Sequence, residues 1–166
     1  MRESGCFIGL DPSYTGFGFA AFFEPSWVYE LHFFKWDKAK YTCHSDRLAA
    51  IRDDLTACFR TFPAITMVAI EGYAHGAKYR REQMGELGAA VRLALYDAAE
   101  GENWRDPLVV PPTSLKQYAA DYGRAKKGDM IEACSKNWQV EVSDDNLADA
   151  YCLARYAADV HYNDKK

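Results

Sequence analysis

The sequence predicts an α/β fold in which a mixed sheet carries helices on its faces. Three observations lead there. Three short runs rich in aromatic and β-branched residues crowd the first 36 positions, separated only by turn chemistry. From Leu48 onward apolar residues recur at helical spacing, and only two further short apolar runs interrupt that pattern. Two of the strand-like runs end on a carboxylate, Asp11 and Glu71. The resulting order, βββ-α-β-α-β-α-α-α, fits neither a helical bundle nor a sandwich.

The first run, "CFIGLD", is apolar at successive positions, which marks a strand buried on both faces. Pro12, Ser13 and Gly16 turn the chain into "FGFAAFFE", a second strand that stops at Glu24-Pro25-Ser26. "WVYELHFFKW", residues 27–36, then alternates as a third strand, so the first three form an antiparallel meander. Leu48, Ile51, Leu55 and Phe59 place a helix over residues 46–62 with Ser45 as its N-cap. "AITMVAIEGY" is a fourth strand, and Met84, Leu87, Val91 and Leu95 line one side of a helix over residues 80–100. "PLVVPP" is a short strand stopped by prolines, and Thr113 or Ser114 caps a helix that Gly123 ends. Two more helices follow, over residues 127–137 and 146–160.

At 166 residues, 49% hydrophobic and 27% charged, the chain reads as one globular domain spanning residues 1–166. No apolar stretch approaches the ~20 residues of a membrane span, and the amino terminus lacks a signal pattern. The five cysteines have no CxxC spacing. They read as reduced core thiols, with the cytoplasm of a bacterial cell as the expected compartment. The net charge of −4 does not advertise a nucleic-acid binder, but "KYRR" (78–81) and "GRAKKG" (123–128) concentrate positive charge in two short patches.

A carboxylate at the end of a buried strand needs a partner, because burying it alone costs several kcal/mol. Singly, each acid has an ordinary role. Asp11 would cap the Ser13–Gly16 turn, Glu71 would pair with Lys78, and Asp149 would complement the dipole of an apolar helix. Ligands, however, gather outside the carboxyl ends of strands in open α/β sheets. Three acids converging there would repel one another unless cations neutralised them, and hard oxygen donors suit magnesium or manganese.

At these residues the sequence resembles a known family. "IGLDPSYTGFGFA", "VAIEGYAHGAK", "VPPTSLKQYAADYGRAKKGDM" and "DNLADAYCLARYA" are similar to the four successive motifs of the RuvC Holliday-junction resolvases, in order and spacing, over nearly the whole chain. The shorter bacteriophage resolvases are the members it most resembles. The resemblance implies a ribonuclease H-like fold with a five-stranded mixed sheet, its first three strands antiparallel. It implies metal-dependent endonuclease activity on branched DNA, above all the four-way junction, with two magnesium ions per site and manganese as a substitute. Asp11, Glu71 and Asp149 become metal ligands, and Lys116 and Lys127 take places beside the scissile phosphate. Tyr73 becomes a stacking residue in the loop after Glu71. Because an acidic site repels DNA, the basic patches must hold it, with Lys78, Arg80, Arg81, Arg124 and Lys126 as the expected contacts. His75 falls in that loop without an expected ligand role.

The family's last motif usually offers two acids three residues apart. Here Asn146 takes the earlier position and Asp145 stands one residue before it. Both lie near Asp149 on a helix. Asn146 offers a neutral amide oxygen, whereas Asp145 brings charge or, alternatively, an N-cap. Two doubly charged ions are better balanced by four carboxylates, which favours Asp145 as the fourth ligand. With two ions, one would activate the attacking water and the other would stabilise the departing 3′ oxygen. Cutting two strands symmetrically implies a homodimer, for which Gly85, Gly88, Ala89 and Ala90 offer a close-approach helix face. Packing of these small residues against the sheet is the other reading, and the resemblance favours the dimer. The alternative is a non-catalytic module that grips branched DNA on the same fold. An actin-like ATPase is excluded by size, since it needs two such domains around its nucleotide.

Overall fold

Alternation along the first strand sets the architecture. In the computed structural model, which describes residues 4–62, 64–72, 81–101 and 104–164, β1 (Gly5–Asp11) lies at the centre of a five-stranded sheet. Its even residues Cys6, Ile8 and Leu10 enter one core, and Phe7 enters the other. A strand buried on both faces must be apolar at every position, and this one is until Asp11. β2 (Phe17–Glu24) pairs antiparallel with β1, and β3 (Tyr29–Phe34) pairs antiparallel with β2. β4 (Ile65–Glu71) runs parallel to β1, and β5 (Leu108–Val110) runs parallel to β4. The order β3-β2-β1-β4-β5 is the expected mixed sheet with an antiparallel meander at one side.

One face is covered by α1 (His44–Arg60) and α2 (Arg81–Ala98). Ile51, Leu55 and Phe59 of α1 meet Leu87, Val91 and Leu95 of α2 against the sheet, so both periodic stripes face inward as their spacing predicts. Burying each such side chain contributes roughly 1.5–3 kcal/mol. The other face carries α3 (Pro112–Ala120), α4 (Lys127–Trp138) and α5 (Asp145–Asn163). No helix among the described residues is long and apolar enough to cross a membrane.

α5 crosses the sheet with almost no space between backbones. A methyl group added at Gly9 would stand 1.9 Å from the Ala150 carbonyl oxygen. One added at Gly18 would stand 2.1 Å from the Asn146 carbonyl oxygen. Neither contact is possible for a side chain, so these two glycines set the depth at which the helix sits.

Helix starts depart from the expectations. α1 begins at His44 after Cys43, whose sulfur accepts from the Asp46 N–H, so Ser45 lies inside the helix and is not its cap. α3 begins at Pro112, where proline's missing N–H costs nothing, rather than after Thr113 or Ser114. It ends with Asp121 in the left-handed conformation (φ 64°), before Gly123 is reached. The cysteines are free, but not all are core: Cys6, Cys134 and Cys152 are buried, Cys58 is half-buried and Cys43 is exposed.

Candidate active site

Period-two geometry aims both strand-terminal acids the same way. On β1, Phe7, Gly9 and Asp11 alternate toward α5, and on β4 Ala69 and then Glu71 do so. Gly18 of β2, the residue paired with Asp11, is covered by the first turn of α5. The first two turns carry Asp145 and Asp149, so four carboxylates from three elements share one end of the sheet.

Burial first, and for Asp11 and Asp149 the neighbouring acids as well, shifts the protonation of three of them. Asp11 is buried, and burial first, then Glu71 and Asp149, raise its pKa well above the ordinary carboxylate value. Asp11 and Glu71 share a hydrogen bond in which protonated Asp11 donates and Glu71 accepts. Burial raises Glu71 as well, opposed by that bond and by the Lys116 ammonium. Asp149 is pushed up to about 7, by burial first and then by Glu71 and Asp145, with Lys116 and Lys127 opposing. Its buried Oδ1 has no hydrogen-bond partner among the described residues. Lys127, at the start of α4, forms an ion pair with Asp145, which raises the lysine's pKa.

Asp11 and Asp145 do not take the ordinary roles open to them. The turn after β1 is held by Ser13, whose hydroxyl accepts from the Thr15 N–H, and Asp11 is engaged with Glu71 instead. Asp144, not Asp145, caps α5: its Oδ1 accepts from the N–H groups of Asn146 and Leu147 at 2.9 and 3.2 Å. The Asn146 amide nitrogen lies beside Gly16, 3.0 Å from where a methyl group there would stand. Capping is therefore done by one residue and turn packing by another, which leaves Asp145 facing Lys127 and the other acids.

These side chains fit a divalent ion in chemistry: all four are hard oxygen donors, and one buried oxygen is orphaned. Among the described residues no three acidic, histidine or cysteine side chains are drawn close enough around one point to hold an ion. Asp145 is turned onto Lys127, and Asp11 onto Glu71. Arg81 at the start of α2, and Arg124 and Lys126 before α4, are exposed. The expectations for Tyr73, His75, Lys78 and Arg80 lie outside the described residues, as does the Glu71–Lys78 pair. Two contributors were not read from the sequence, Gly18 and Asp144, nor was Phe33, which stands in the same cross-strand row as Asp11 and Gly18. The alternation of "HFFKW" carried the signal for the last of these.

No protein-family model matches the chain, and no curated protein matches it in sequence. Solved structures do. Thermus thermophilus RuvC in complex with a Holliday junction substrate superposes with a TM-score of 0.68 at 19% identity, covering 90% of each chain. A second Thermus thermophilus RuvC structure superposes with a TM-score of 0.67 at 20% identity, covering 89% of each chain. About four residues in five differ, yet the chain traces the same ribonuclease H-like fold as these RuvC structures.

Proposed function

We propose that this protein is a metal-dependent endonuclease that cuts branched DNA, with the four-way junction as its substrate. The observation that carries the proposal is the convergence of Asp11, Glu71, Asp145 and Asp149, with the orphaned oxygen of Asp149 among them, on a fold shared with RuvC. Burial and neighbouring acids disfavour the ionised forms of Asp11 and Asp149 there. That is the expected signature of a site made for cations.

Asp11, Glu71, Asp145 and Asp149 would hold two magnesium ions, for which manganese substitutes. Bound there, the ions would supply Lewis-acid activation of water and stabilisation of the departing oxygen. The chain's own part is positional and electrostatic. Lys116 faces Glu71 and Asp149, where its ammonium offsets negative charge building on the phosphate's non-bridging oxygens. Lys127 is held at the rim by Asp145 and exchanges that partner for phosphate when DNA arrives. Arg81, Arg124 and Lys126 bind phosphates away from the reacting atoms, which reconciles an acidic chain with an anionic substrate. Symmetric incision of a junction calls for a homodimer, and the exposed face of α2 is the surface for it.

The test is cleavage by purified protein of a four-way junction, a flap and a linear duplex, with magnesium and with chelator. Magnesium-dependent cutting of the junction above the duplex supports the proposal. Tight junction binding with no cutting under any divalent ion would make the protein a binding module.

A further inference from the structure

The rim of the acidic site on its β3 side carries an aromatic residue that the mechanism does not use. Phe33 is 47% exposed although it belongs to the sheet. It pairs with Gly18, which pairs with Asp11, so its side chain is on the α5 face, two strands (roughly 10 Å) from Asp11. Its ring tip lies 3.4 Å from where a methyl group on Gly16 would stand, beside the Asn146 amide. One side of the ring thus rests on the turn after β1 while the rest meets solvent.

Alternation continues past the end of β3. Phe34 and Trp36 stack at 5.4 Å with nearly parallel rings, and the Trp36 N–H donates to the Tyr14 carbonyl. Both therefore face the α1 side, which puts Lys35 on the face of Phe33. Lys38 and Lys40 follow in a short 3-10 turn capped by Asp37. All three lysines are exposed, and the ion pairs among the described residues are made by other cations. The neighbouring acids are engaged locally: Asp37 with the Ala39 N–H, Asp46 with the Thr42 N–H, and Asp54 with the Trp36 indole.

We infer that this strip is a second DNA-contact surface, on which an unstacked base stacks on Phe33 while the adjoining backbone runs along Lys35 toward Lys38 and Lys40. A flat exposed ring beside unpaired cations is the composition that holds single-stranded nucleic acid, through stacking and charge together. The occupant is the strand seated on the carboxylates, a nucleotide or two from the scissile phosphate, and in this the inference rests on the nuclease reading. A junction supplies such a base at its branch point, whereas an intact duplex keeps its bases stacked. The surface accordingly favours branched over linear DNA.

The test is equilibrium binding of full-length protein, in chelator, to a fluorescent four-way junction and to a linear duplex, over a range of salt. Phe33→Ala weakens junction binding roughly 5- to 100-fold and duplex binding much less. Phe33→Trp keeps the affinity, while Phe33→Leu, which preserves apolar packing on Gly16, behaves like Phe33→Ala. Lys35→Ala reduces the slope of log affinity against log salt by about one. Folded Phe33→Ala protein with unchanged junction binding overturns the inference, as does full affinity in Phe33→Leu. A change of oligomeric state in Phe33→Ala would instead assign the face to a second copy of the chain. Cleavage by the wild type with no Phe33 dependence sinks this surface and leaves the nuclease reading standing. Phe33-dependent junction binding without cleavage does the reverse, and absence of any DNA binding sinks both.

Discussion

Asp149 holds its carboxyl where neither solvent nor a hydrogen bond from the described residues satisfies Oδ1, and its pKa is pushed up to about 7 from an ordinary value of 3.8. The sign of the consequence is fixed. A carboxyl whose folded-state pKa is raised favours the folded state below its ordinary value, and that advantage is lost as pH rises toward 7. Metal-free protein should therefore melt at a lower temperature at pH 8 than at pH 5.5. Asp149→Asn should remove part of that difference, raising the pH 8 melting temperature by roughly 3–8 °C. Magnesium should restore the wild type and not the variant, and differential scanning fluorimetry in chelator and in magnesium reads all of these outcomes. Asp145 and Asn146 separate in the same way. Asp144 already caps α5, so Asp145→Asn should leave the melting temperature nearly unchanged while raising the magnesium needed for turnover or abolishing it. Asn146→Ala should spare the magnesium requirement, because its amide is beside Gly16. A magnesium titration of cleavage that shifts only for Asn146→Ala would make the amide the fourth ligand. At this scale the acids were legible because a carboxylate closing an apolar strand is conspicuous. The capping residue was not, since "SDDN" sets two acids side by side and only the phase of the helix decides which one caps.

The acidic site exists because one helix lies on bare backbone. Gly9 and Gly18 let α5 descend until its carbonyls occupy the volume a side chain would fill, and that descent carries Asp145 and Asp149 to Asp11. The two glycines differ in what they hold. Gly9 lies under the middle of α5, near Ala150 and Ala154, so Gly9→Ala should prevent stable folding. Gly18 lies under the first turn, so Gly18→Ala should lift that turn, with cleavage falling at least ~100-fold. Circular dichroism and melting should show a folded Gly18→Ala protein that has lost a few degrees. Full activity in folded Gly18→Ala would show that the depth of α5 does not set the site. Periodicity made every strand and helix legible, since alternation and 3.6-residue spacing follow directly from which face is buried. Helix starts were less legible. Cys43 and Pro111 precede α1 and α3 without the usual capping oxygen, and a close approach between backbones leaves no pattern beyond the glycines themselves.

Across the whole molecule, two cores on either side of one sheet leave only the rims for the proposed functions: chemistry at the carboxyl ends of β1 and β4, and contacts with other molecules on exposed faces. The small residues of α2 divide accordingly. Gly88 and Ala90 are buried against the body, whereas Gly85 and Ala89 are exposed on the side that continues to Leu93 and Tyr96. If that face joins two copies, Ala89→Glu should give folded monomers in sedimentation that nick junctions without pairing their incisions. An unchanged dimer would place the interface elsewhere. The order of elements carried the overall fold, while the division of α2 into inner and outer small residues needed the position of α1. Four converging carboxylates are proposed to make this fold a nuclease for branched DNA. Single-turnover cleavage of a four-way junction in magnesium, with wild type and Asp11→Asn measured alongside their junction affinities, tests it most directly. Wild type should cut, and Asp11→Asn should bind the junction at least as tightly, because negative charge has left the groove, while cutting is abolished. Undiminished cutting by Asp11→Asn would contradict it.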